Sequence, residues 1–164
     1  MPTEAELAFA DQVGRHFARS YSMPPMNGRV LGWLMICEPP EQTAAELSEA
    51  LRASRTAVGA AIAQLETLAV IQRSRAAGER ADRISVASAI GVQSMEEPTE
   101  YVALGALARN GLDVLADATP ARRARLLEMA AFADFLAERM PQLAVEWRAR
   151  RDALHASGEL PAYP

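Results

Sequence analysis

Six arginines fall between positions 52 and 83 of this chain: Arg52, Arg55, Arg73, Arg75, Arg80 and Arg83. Only Glu66, Glu79 and Asp82 lie among them, so this segment carries +3 while the remainder of the chain carries −7. A guanidinium is always charged and presents a planar fork of donors, which suits phosphate oxygens and the O6/N7 edge of guanine. Hydroxyl and amide side chains, Ser54, Thr56 and Gln64, stand beside the arginines. Between them come Gly59, Ala60 and Ala63, whose side chains cannot hydrogen-bond but allow a surface to approach closely. Charge, hydrogen-bonding capacity and close approach in one stretch are what contact with a phosphate backbone and its bases requires.

Helical periodicity positions these residues. Val58, Ile62 and Leu65 are spaced by four and three, predicting an amphipathic helix with Arg55, Thr56, Gly59, Ala60, Ala63 and Gln64 facing outward. Ser54 stands at its N-cap, either as a plain cap, as a phosphate contact, or as both. Upstream, Thr43-Ala44-Ala45-Glu46 is a capping box that opens a shorter helix with Leu47 and Leu51 inward. Two short helices joined by a tight turn predict a helix-turn-helix, whose second helix enters a DNA major groove. Val70–Arg75 and Arg83–Val86 then read as strands around a polar tip containing Gly78. A helix-turn-helix followed by a basic hairpin is a winged helix. Arg55 suits guanine and Gln64 suits adenine, while Arg73, Arg75, Arg80 and Arg83 belong to the wing. Arg83 either contacts DNA or pairs with Asp82 or Glu79 to order the hairpin. Because the helix face carries few hydrogen-bonding side chains, much of the affinity is expected from phosphates and from wing arginines in a narrow minor groove.

Helices flank this centre. Glu4 to Tyr21 reads as a first helix, ended by Ser22-Met23-Pro24-Pro25, and Met26 to Cys37 as a second, apolar one. Gly28 and Gly32 leave a flat strip on the second helix where another helix can approach. Glu38 to Gln42 is expected as a rigid link, and Ala87 to Glu97 as either a loop or a short helix. Pro98 to Asp117 reads as helical; Thr119 as N-cap and Pro120 at the first position then start the next helix. Its Leu126, Met129, Ala133, Leu136 and Met140 recur at three-four spacing, Leu127, Phe132 and Phe135 widen the apolar face, and Pro141 is expected to kink or restart it before an end near Ala156. The fold class is mainly α with a small β-hairpin. A dimerisation helix (1–22), a winged helix-turn-helix (23–88), a helical dimerisation region (98–157) and a tail (158–164) follow in order. Broad apolar faces at both ends predict a homodimer, which would carry two reading helices to two half-sites.

Other function classes find little support. The histidines, His16 and His155, lie near opposite ends without carboxylates or cysteine at metal-ligand spacing, so no metal is expected. No phosphate-binding loop or nucleophile elbow is present, which leaves no catalytic residue and no cofactor to assign. The single cysteine, Cys37, excludes an intramolecular disulfide and fits a reducing compartment; next to Glu38 it lacks the electropositive setting of a reactive thiol. The longest apolar run, Val30–Cys37, is too short to span a bilayer, and the acidic N-terminus does not read as a signal peptide. A cytoplasmic protein is expected. The rival reading is a winged helix that binds another protein and never DNA, which the net charge of −4 and the alanine-rich face favour.

The order of elements resembles the MarR-type winged-helix transcriptional regulators, and within them the branch named for the glycine-betaine regulator GbsR. The resemblance rests on Met23-Pro-Pro-Met-Asn-Gly-Arg29-Val-Leu-Gly-Trp33-Leu through Cys37-Glu-Pro-Pro40, Thr43-Ala-Ala-Glu-Leu47, Ser54-Arg-Thr-Ala-Val58 and Gln64-Leu65-Glu-Thr-Leu68. It implies a sequence-specific, double-stranded-DNA-binding homodimer that acts as a repressor and is released by a small-molecule effector bound between the reader and the dimerising helices. Phe17, Tyr21, Trp33 and Met35 could line such a pocket, and their aromatic rings would suit a quaternary ammonium, although their spacing within apolar stretches equally fits core packing. MarR-type wings often carry Asp-x-Arg at the tip. This chain has Gly78-Glu79-Arg80-Ala81-Asp82-Arg83, and Arg80, nearer the turn, is assigned the groove-inserting role.

Overall fold

The computed structural model describes residues 1–75, 78, 81–87 and 92–161. Two compact units divide the chain, Met1–Gly91 and Val92–Pro164.

The first unit holds α1 (Glu4–Tyr21), α2 (Pro25–Leu34), β1 (Gln42–Thr43), α3 (Ala44–Ala50), α4 (Arg55–Thr67), β2 (Ile71–Ser74) and β3 (Arg83–Val86). Local chemistry sets most of the starts. Thr3 and Thr43 each form a full capping box, their hydroxyls accepting from the amides of Glu6 and Glu46 while those carboxylates reach back to the cap amides at 2.7 Å. Ser54 caps α4 through a 3.1 Å bond from the Ala57 amide. Pro25 occupies the first turn of α2, where its missing N–H costs nothing.

Three strands form one antiparallel sheet in the order β1-β3-β2. Gln42 stands opposite Ile84, and Arg73 opposite the same Ile84 from the other side. The short β1 occupies the end of the stretch expected as a rigid link; two residues carry no periodicity of their own, and only the pairing with β3 makes them a strand. Beneath the sheet, Leu31, Leu34, Leu47, Leu51, Val58, Ile62, Leu65, Ile71 and Ile84 form one buried cluster. The helix expected to run to Cys37 ends at Leu34. Pro39 and Pro40 follow closely, and proline pushes its predecessor out of the helical region.

Helix α1 lies on the glycine strip of α2. A Cβ on Gly28 would sit 2.5 Å from the Val13 carbonyl oxygen, and one on Gly32 would sit 2.9 Å from the Val13 side chain. Polar bonds fix the register. Arg29 Nε donates to Asp11 Oδ1 at 2.6 Å and Nη2 to the Leu51 carbonyl at 3.1 Å, joining α2 to α1 and to the end of α3. Trp33 Nε1 donates to Gln42 Oε1 at 2.9 Å, joining α2 to β1. The segment 1–22 therefore shares a unit with the winged helix.

The second unit holds α5 (Val92–Glu96), α6 (Thr99–Val114) and α7 (Pro120–Ser157). The residues buried along α6 and α7 are small, Gly105 and Ala108 on one helix and Ala130, Ala133 and Ala144 on the other, and a Cβ on Gly105 would lie 3.5 Å from that of Ala133. Arg109 bridges to Asp134 at 3.0 Å, and Arg148 of α7 to Glu96 of α5 at 2.9 Å. Helix α7 does not restart at Pro141 but runs through it, since a proline removes one intrahelical bond and leaves those of the neighbouring turns in place. Thr119 holds the N-cap backbone position with Pro120 following, but its hydroxyl makes no cap bond. Gly158, with φ +78, closes the helix in the left-handed conformation.

Candidate nucleic-acid interface

The burial pattern of α4 separates two faces. Val58, Ala61, Ile62 and Leu65 are buried, whereas Arg55, Thr56, Gly59, Ala60, Ala63 and Gln64 are exposed. A Cβ on Gly59 would meet no atom within 4 Å, so nothing inside the protein requires a glycine there. Ser54, exposed, spends its hydroxyl on the cap; the free N–H groups of the first turn still point outward beside it. Gln64 is anchored: its Oε1 accepts from Nδ2 of Asn27, a residue of α2 that is 1% exposed, at 2.8 Å.

The wing arginines are compensated within the fold. Arg73 forms a fork with Glu66 at the end of α4 (Nε to Oε1 2.5 Å, Nη2 to Oε2 2.8 Å) and lies 3.6 Å from Asp82. Arg75 donates to Asp82 Oδ1 at 2.6 Å. Glu66 thus ties α4 to β2, and Asp82, just before β3, holds Arg75, just after β2. These partners hold both guanidiniums above their ordinary pKa, and Arg75 holds the Asp82 carboxyl below its own. Arg83 stands opposite Thr43; the amide and hydroxyl of Thr43 hold the Glu46 carboxyl below its ordinary pKa, and the charge of Arg83 adds a smaller share. Arg80, assigned to the minor groove from sequence, lies outside the described residues, as does Glu79.

Phe17, Tyr21, Trp33 and Met35 stand in different surroundings. Phe17 packs on the core and against Tyr21, with ring centroids 5.3 Å apart; Tyr21 is 61% exposed and Met35 half-exposed. Trp33 is buried, its N–H taken by Gln42. The cavity beside Trp33, about 340 Å³, is walled by Glu6, Glu38, Glu46 and Glu49 rather than by the other three. Cys37 is buried too, and its Sγ donates to the Pro39 carbonyl at 3.2 Å. Burial pushes its thiol up to about 11, which keeps it protonated at neutral pH. Among the described residues no His, Cys, Asp and Glu cluster could hold a metal ion, and no helix is long and apolar enough to cross a membrane.

Sequence reasoning missed Asn27 and Glu66 as organisers of this surface, and it named Asp82 for the hairpin without its bond to Arg75. Asn27 was visible only as part of an apolar helix, and its bond spans 37 positions. The second unit adds an exposed apolar stripe: Phe132, Phe135, Leu143 and Trp147 on α7, with Val102, Leu107 and Val114 exposed on α6.

Comparison with known proteins is consistent across three levels. Residues 92–150 match the MmpR5-like MarR family transcriptional regulators. Over 124 residues the chain is 35% identical to the HTH-type transcriptional regulator MmpR5 of Mycobacterium tuberculosis (strain ATCC 25618 / H37Rv), covering 75% of this chain and 74% of that protein. The crystal structure of a transcriptional regulator superposes with a TM-score of 0.80 at 29% identity, over 88% of this chain and 99% of the other. With a winged helix whose reading helix turns a polar face outward, and a relative of this identity and extent, the chain belongs to the MarR family of DNA-binding transcriptional regulators.

Proposed function

We propose that the chain acts in the cytoplasm as a homodimer that binds double-stranded operator DNA sequence-specifically and represses transcription, with a small-molecule effector releasing it. The observation that carries the reading is the exposed face of α4, where Arg55, Thr56 and Gln64 are separated by Gly59, Ala60 and Ala63. This face supports insertion into a major groove: Arg55 serves guanine or a phosphate, and the short residues admit the groove floor. Arg73, Arg75 and Arg83 support backbone contact beside it, with Arg80 at the wing tip as the minor-groove arginine.

The second unit supports dimerisation. Its two long helices bury glycine and alanine and leave Phe132, Phe135, Leu143 and Trp147 of α7 exposed, and apolar side chains grouped on one face mark an interaction surface. A second copy of the same stripe, related by a two-fold axis, is the occupant we assign to it.

The test is binding of the purified chain to the DNA upstream of its own gene at two salt concentrations. Selective binding that weakens steeply with salt is expected, and Arg55→Ala with Arg80→Ala should abolish it. A folded dimer that binds neither this fragment nor random DNA would overturn the reading and turn the search to protein partners.

A further inference from the structure

Past its first turn, the exposed face of α4 offers Gln64 as its longest hydrogen-bonding side chain, and this side chain is not free to rotate. Its Oε1 is drawn onto Nδ2 of the buried Asn27, at 2.8 Å, while the residue itself remains exposed. The oxygen therefore faces the protein, and the NH₂ group, on the other side of the same planar amide, faces out. A glutamine that reads adenine uses both atoms side by side at the base edge, accepting from N6 and donating to N7. Here the accepting half is already engaged.

We propose that Asn27 is a positioning residue for base recognition, holding Gln64 so that it meets the major groove as a donor only. This rests on the reading of α4 as the DNA-reading helix. Guanine, with N7 and O6 both acceptors, and thymine, through O4, fit such a donor. Adenine offers such a donor only N7, next to an exocyclic amino group that is itself a donor and opposes it, and cytosine offers only its amino donor. A bond that merely clamps α2 to α4 would not alter which base is chosen.

The test is selection from a randomised duplex library by the full chain, with the bound fraction sequenced. The expected wild-type motif contains one position where guanine or thymine is preferred to adenine by about tenfold. Gln64→Ala should erase the preference at that position alone. Gln64→Glu keeps an oxygen for Asn27 and offers its second one to the base, so the preference should move to cytosine or adenine. Asn27→Ala releases the amide and should admit adenine; if loss of a buried amide prevents folding, the two variants at exposed Gln64 decide the matter. A wild-type library without any enriched sequence overturns the DNA reading together with the inference. Enrichment that Gln64→Ala leaves unchanged at every position, or a Gln64-dependent preference for adenine in the wild type, overturns the inference alone.

Discussion

Gly59 stands in the exposed face of α4, and a Cβ built there would touch no atom within 4 Å. Glycine in a helix interior costs about 0.8–1.0 kcal/mol relative to alanine, because its unfolded backbone has more freedom to lose. Gly59→Ala and Gly59→Leu are therefore both expected to stabilise the first unit by nearly that amount. For a unit of this size the shift in Tm is roughly 4–8 °C per kcal/mol. DNA binding should move the other way. A leucine side chain would hold the helix back from the groove floor, and losing one good base contact costs about 1–3 kcal/mol, or roughly 5- to 150-fold in affinity. Thermal or urea unfolding and a DNA titration on the same preparation of Gly59→Leu measure both terms. Gly28→Ala provides the contrast, since its Cβ would lie 2.5 Å from a backbone oxygen; overpacking of this kind destabilises by about 1–3 kcal/mol. If Gly59→Leu destabilised the fold, or stabilised it with operator affinity unchanged, the assignment of this helix face to close approach would be refuted.

Glu66→Gln removes the fork on Arg73; both partners are partly exposed, so stability should fall by at most about 1 kcal/mol. Released from its carboxylate, the Arg73 guanidinium should hold phosphate more tightly, raising affinity for random DNA at low salt in a salt titration. Asp82 has its carboxyl pKa lowered in the fold by Arg75, so its contribution to stability is complete above the unfolded value of about 4 and is lost as pH falls through the folded value. Unfolding curves between pH 2.5 and 6 should accordingly be flatter for Asp82→Asn than for the wild type, and identical profiles would count against the ion pair in solution. Phe132→Glu with Phe135→Glu should convert the proposed dimer to a monomer. Each ring is more than half exposed in the isolated chain and its burial is worth roughly 1 kcal/mol. Doubled by symmetry, the pair predicts about a thousandfold rise in the dimer dissociation constant, read by sedimentation equilibrium.

What was legible in the sequence was what is decided locally. The Thr43–Glu46 box, the Ser54 cap and the three-four spacing of Val58, Ile62 and Leu65 fix α3 and α4 within a residue or two, and with them the outward face of α4. The span of α1 follows from its apolar stripe and the prolines after it. Elements that depend on distant partners were not legible. Strand β1 exists only because Gln42 meets Ile84, and the fate of Pro141 depends on the helix around it, which continues for 16 residues to Ser157. The candidate site divides the same way. Which residues of α4 face out is a matter of helical phase; that Gln64 is held by Asn27, Arg73 by Glu66 and Arg75 by Asp82 is a matter of tertiary geometry. The strand pairing, which sets Arg83 opposite Ser74 and Thr43 and brings Arg75 beside Asp82, is likewise set by tertiary geometry.

The stretch from Asn27 to Trp33 is one of those that carry the resemblance, and each polar or small residue in it has a task inside the fold. Gly28 and Gly32 admit α1, Arg29 binds Asp11 and the end of α3, and Trp33 binds Gln42 of β1. Such a motif is constrained by packing, so it transfers architecture from one protein to another. Arg55, Thr56 and Gly59 stand under the opposite condition: exposed, with no space in the protein that calls for their particular shapes. They can change without disturbing the core, which is what a surface that distinguishes one operator from another needs. Asn27 joins the two sets, since it is buried in the architectural motif yet bonded to Gln64 on the reading face. An architectural residue that orients a reading one lets the fold constrain part of the specificity, and a substitution at Asn27 should therefore act on the base preference of a residue it does not resemble.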